Sequence, residues 1–199
     1  MIFNRLLALL IPLAISPLVP AEDQPEAAED DKPKAGHSHQ GEAFNQGPRH
    51  SALPIDGTGN ISFPIRCSWE EGQQFFNQGI GQLHGFWYYE AERTFRQIAS
   101  KDPDCAMAYW GMAMANWENE KRAKAFIKRA SELQEKATEQ NQRYIQAQAN
   151  YLDGEPKDAK KRKQELIDDL EGIIQDYPAD IEARAFLCVR LWQFGRSGL

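Results

Sequence analysis

The side chains most able to do chemistry in this chain are four histidines, three cysteines and a scattered set of carboxylates. His37 and His39, with Glu42 and His50 close behind, could hold Zn or Cu, because imidazoles two residues apart in an extended chain can chelate one ion. A polar tether that happens to carry histidines explains the same residues more simply, so metal handling through His37, His39, Glu42 and His50 is the alternative function. His84 follows Leu83 and precedes Gly85, where an imidazolium would meet the negative end of a helix dipole, and capping outweighs catalysis there. Met107, Met112 and Met114 suit gap-filling in a core better than a thioether metal site. Cys67, Cys105 and Cys188 are an odd set, so at most one internal disulfide forms and one thiol is left over. No C-x-x-C, H-E-x-x-H, G-x-S-x-G or phosphate-loop pattern occurs. Asp and Glu are spread over helical faces with no apolar pocket to raise one pKa, which leaves paired-carboxylate catalysis without support. The chain is expected not to be an enzyme and to use no cofactor.

Whatever these residues do, helices must position them. The 199 residues are 42% hydrophobic and 26% charged, the profile of one helical domain of ordinary size. A formal charge of −6 argues against a nucleic-acid surface, which needs clustered Lys and Arg. The one basic run, KDAKKRK at 157–163, fits a solvated helix face. Residues 1–21 carry Arg5, an apolar stretch from Leu6 to Val19 and a small-residue end at Ala21. This pattern predicts a secretory signal and hence an exported chain, periplasmic or extracellular. The stretch contains Pro12 and Pro17 and falls short of the roughly 20 apolar residues of a spanning helix, so no membrane span is expected after cleavage. Residues 22–50 lack apolar periodicity and read as a disordered tether. Residues 51–67 contain the turn signal Asp56-Gly57-Thr58-Gly59-Asn60 and the alternation Ile61, Phe63, Ile65, which predict an extended arm packed on the first helix.

From Ser68 the period becomes helical. Ser68-Trp69-Glu70-Glu71 has the spacing of a capping box. Apolar stripes at three- and four-residue steps predict helices near 69–84, 87–101, 105–119, 121–137, 139–152, 158–176 and 180–194. Short connections should make neighbours antiparallel.

A repeat underlies these helices. Phe75-x2-Gln78-Gly79-x2-Gln82 is followed by Ala91-x3-Phe95 and Pro103. About 34 residues on, Tyr109-x2-Met112-Ala113-x2-Asn116 and Ala125 repeat the spacing. Leu166, Leu170 and Pro178 echo it a third time after an insertion near 153–163. The chain over 69–194 thus resembles the tetratricopeptide repeat family, and the block from Phe76 to Asn116 is similar to exported bacterial proteins that carry such repeats. That resemblance implies an all-α, right-handed solenoid of stacked helical hairpins over 68–199, acting as a scaffold for protein–protein interaction. Its groove would be lined by the first helix of each hairpin, and Asn77, Gln78, Gln82, Asn116 and Arg143 are the candidates to hold an extended peptide or partner protein. The helix at 180–194 is apolar on more than one face, which points to self-association through it.

Overall fold

The computed structural model of the chain describes residues 38, 40–153 and 158–196, all within one unit, Gly36–Leu199. The expected signal, the first part of the tether, His37 and His39 lie outside the described residues. Seven α-helices follow one another: α1 Gly72–His84, α2 Tyr88–Lys101, α3 Ala106–Ala115, α4 Glu120–Glu132, α5 Glu139–Asp153, α6 Ala159–Asp176 and α7 Ile181–Arg196, with short 3-10 turns at Glu42–Asn45 and Gln134–Lys136. The described residues contain no strand, and none of their helices is long and apolar enough to cross a membrane. The protein is all-α.

Local chemistry sets most of the boundaries. Asn119 accepts the N–H of Arg122 and caps α4; Asp158 accepts the N–H groups of Lys160 and Lys161 and caps α6. Pro103, which restricts Asp102 and lacks a donor, separates α2 from α3. The capping box expected at Ser68 does not form. Helix α1 starts only at Gly72 with no side-chain cap, and the Ser68 N–H donates instead to Asp102 Oδ2 at 2.6 Å. A distant carboxylate has taken the donor that the local motif would have used.

Consecutive helices pack side by side, and α3 also touches α1 and α5. All ten residues of α3 are buried, and a helix that is apolar on every side must be surrounded. Its small residues make room for large neighbours. The ring of Phe95, fully buried on α2, lies between Gly79 of α1 and Gly111 of α3. An added Cβ would come within 2.6 Å of that ring at Gly79 and 2.5 Å at Gly111. Trp110 gathers Phe63, Phe76, Tyr144 and Phe186 around it, with centroids 5.5 to 6.4 Å away, and donates its indole N–H to the Tyr144 carbonyl at 3.1 Å.

The arm before α1 is extended and belongs to this core. Phe63 is 2% exposed and packs on Phe76, Trp110 and Tyr144. Gly57 and Gly59 take positive φ at the turn, and the Thr58 carbonyl sits so close to α1 that any Cβ at Gly81 would collide with it. Packing continues upstream of the arm, within the 22–50 segment expected to be a tether. Phe44 meets Phe126 edge-on at 5.1 Å, Arg96 stacks over Phe44, and Arg122 donates to the Ala43 and Gln46 carbonyls. Two arginines and one aromatic thus supply the contacts that composition alone did not reveal.

Candidate functional site

The five residues expected to line a peptide groove are placed in four different settings. Gln78 is buried on α1; its amide donates to the Leu53 carbonyl at 3.0 Å and accepts the Ile55 N–H at 2.9 Å. One turn earlier, Gln73 donates to the Phe63 carbonyl and accepts the Ile65 N–H, at 2.8 and 2.9 Å. Asn77 accepts the Phe63 N–H. These amides give and take the two backbone bonds that a neighbouring strand would otherwise supply, and the extended segment they hold is the chain's own arm. Gln82 turns inward and accepts the Thr94 hydroxyl at 2.8 Å. Asn116 joins a buried charged cluster, and Arg143 pairs with Asp176 on α6.

That cluster is built on Glu92, 4% exposed, whose carboxylate accepts from Arg96, Arg122 and Asn116. Two guanidiniums share one carboxylate, and their remaining donors go to the carbonyls of Ala43, Phe44 and Gln46. Burial pushes the Arg96 guanidinium down from its ordinary value, and Glu92 opposes this. Gly47, at φ 86, lies where a Cβ would strike Glu92 and Arg122. The bonding ties residues 43–47 to α2 and α4, a structural task.

A different arrangement occurs where α1, α3 and α7 meet. His84, the last residue of α1, sets Nε2 2.6 Å from Glu182 Oε2 on α7, and its ring lies 5.0 Å from that of Phe186. Next to this pair a narrow cleft is walled by Leu83, Tyr88, Met114, Trp117 and Phe186. Its free space is about 20 Å³, room for one water-sized group. Phe86 (52% exposed) meets the cleft residue Tyr88 at 6.2 Å between centroids and Trp192 (50% exposed) at 5.9 Å, and Phe86 is the one described non-glycine residue with positive φ, at 60°.

Arg190 lines the cleft from below. It is 4% exposed, yet its hydrogen bonds go to neutral acceptors: Gln193 Oε1 at 2.9 Å, Gln148 Oε1 at 3.1 Å and Met114 Sδ at 3.3 Å. Its guanidinium also stacks over Tyr151. No carboxylate among the described residues forms an ion pair with it, and burial pushes its pKa down. Three bonds leave part of a five-donor fork unused. Apolar walls, an aromatic rim and one buried cation suit the capture of a group that is itself apolar at one end and anionic at the other.

Sequence reading missed Arg190 and Phe86. The signal for Arg190 was a single cation inside the largely apolar FLCVRLWQF; Phe86 carried none, because its positive φ has no signature in the residue type. Glu42 is exposed and pairs with Lys121 at 2.7 Å, and His50 is exposed with its carbonyl accepting from Arg93. Among the described residues, the group of metal-ligating side chains that does converge is Cys67, Asp102 and Cys105. No family model matches the chain, and neither the curated proteins nor the solved structures provide a match to it.

Proposed function

We propose that the chain is an exported, tetratricopeptide-like interaction scaffold that grips a partner protein or peptide at the α1–α3–α7 cleft. An apolar side chain of the partner would lie against Phe86, Trp117 and Trp192, and a carboxylate would reach Arg190 once the cleft, which has room for one water-sized group, widens around it. The observation that carries this is Arg190: a buried guanidinium with no carboxylate partner among the described residues costs several kcal/mol, and an incoming anion offsets that cost. The repeat architecture is supported by the side-by-side packing of consecutive helices and by the small residues that seat Phe95. Export rests on the leader pattern in the sequence.

Peptide phage display on the described domain tests the proposal. Selected peptides should be enriched in a carboxylate next to an aromatic or aliphatic residue. Their affinity, measured by fluorescence polarisation, should fall at least tenfold, about 1.4 kcal/mol, in Arg190→Met and in Phe86→Ser with the helical circular dichroism unchanged. Enrichment without acidic residues, or equal binding by the variants, would overturn it. Ile181, Leu191 and Trp192 are exposed on α7, so a second copy is the competing occupant. Light scattering that shows a dimer abolished by Trp192→Glu would assign the surface to self-association instead.

A further inference from the structure

Cys67 ends the arm, and Cys105 is the residue from which α3 starts. Their Sγ atoms and a carboxylate oxygen of Asp102 all lie within 4.8 Å of one another. Room for this comes from Gly72 at the first turn of α1, where any Cβ would collide with Cys67 Sγ. Access to the two sulfurs differs. Cys67 is half-buried, whereas Cys105 is 1% exposed. Their acidities differ as well: the hydrogen bond from Cys105 holds the Cys67 thiol below its ordinary value, with burial and Asp102 opposing. The same bond and burial push Cys105 well above the ordinary thiol range. Asp102 is committed to the turn, its oxygens accepting the N–H groups of Ser68 at 2.6 Å and Asp104 at 3.1 Å.

From this geometry we infer that Cys67 and Cys105 are a thiol–disulfide exchange pair, with Cys67 as the accessible attacking sulfur and Cys105 as the buried resolving one. The co-reactant is a low-molecular-weight disulfide. The Cys67 thiolate attacks one of its sulfurs, forming a mixed disulfide and releasing one small thiol. Cys105 then gives up its proton and attacks Cys67 Sγ, expelling the second small thiol. Two protein thiols are oxidised, one small disulfide is reduced to two thiols, and no net proton is released. The product ties the end of the arm to the start of α3 around the whole α1–α2 pair. Exposed Cys188 is left as the remaining thiol, as the odd count of cysteines requires.

The reduced full chain, treated with oxidised glutathione, denatured and labelled with a maleimide–polyethylene glycol, should lose the labels on Cys67 and Cys105 with glutathione retained on exposed Cys188 alone, and peptide mapping should recover Cys67 joined to Cys105. Cys188→Ser should label nowhere after oxidation. Cys67→Ser should keep Cys105 labelled, since the reagent cannot reach the buried sulfur in the fold. Retention of three labels, a persistent glutathione adduct on Cys67, or a bridge to Cys188 would overturn the assignment. So would stoichiometric zinc in the purified protein that Cys67→Ser releases, which would make the cluster a metal centre.

Discussion

Gly111→Ala sets two general effects against each other at one atom. Gly111 lies in α3 and is buried, and in an unconstrained helix replacing glycine by alanine stabilises by up to about 1 kcal/mol. In this chain the new methyl would lie 2.5 to 2.6 Å from three ring atoms of Phe95, roughly 1 Å inside ordinary contact. The ring has little room to move, because Gly79 of α1 approaches its Cε1 and Cζ atoms equally closely and Phe95 is fully buried. Overpacking of this kind costs about 1–3 kcal/mol, so after a propensity gain of about 1 kcal/mol the variant should lose up to about 2 kcal/mol. Urea unfolding followed by circular dichroism reads the change directly. Phe95→Leu shortens the side chain at the contact, so in that background the penalty of Gly111→Ala should shrink, with a coupling of about 1 kcal/mol in the double-mutant cycle. If Gly111→Ala stabilises the protein, or if the cycle shows no coupling, the wedge of Phe95 between two glycines is not what joins α1, α2 and α3.

Phe63→Ala removes the arm's anchor from the ring formed by Phe76, Trp110 and Tyr144 and should cost about 3–5 kcal/mol in urea unfolding; a change under about 1 kcal/mol would mean the arm is peripheral. Asp102 is held below the usual carboxylate range, because hydrogen bonds from Ser68 and Asp104 outweigh the burial that alone would raise it. A depressed folded-state pKa gives stability that is present above the unfolded value near 4 and lost as pH falls through the folded one. Asp102→Asn should therefore flatten the loss of stability below about pH 4, and an unchanged pH slope would refute this. Arg190→Met removes a buried cation but also its bonds to Gln148, Gln193 and Met114, so the melting temperature should change little while peptide binding weakens; a clear loss of stability would mark Arg190 as structural.

The helices were legible because their stripes repeat at 3.6 residues over long stretches. The failures share one cause, which is that a polar group's partner can lie anywhere in the chain. Ser68 has a local partner three residues on, yet Asp102 takes its N–H. Phe44 sits in a segment of tether-like composition, yet Arg96 and Phe126 order it from more than 50 residues away. The amides of α1 show the same ambiguity at the level of function. Gln73, Asn77 and Gln78 have the chemistry to hold an extended backbone, and periodicity cannot say whose backbone that is. Covalent attachment decides it. The arm runs directly into α1 and is presented to it at the high effective concentration of a tethered ligand, reinforced by the burial of Phe63. A free peptide would have to displace both. None of the described residues occupies the α7 cleft as the arm occupies α1, and there three hydrogen bonds leave part of the Arg190 fork unused, which is why the proposed partner is placed at that end of the helices.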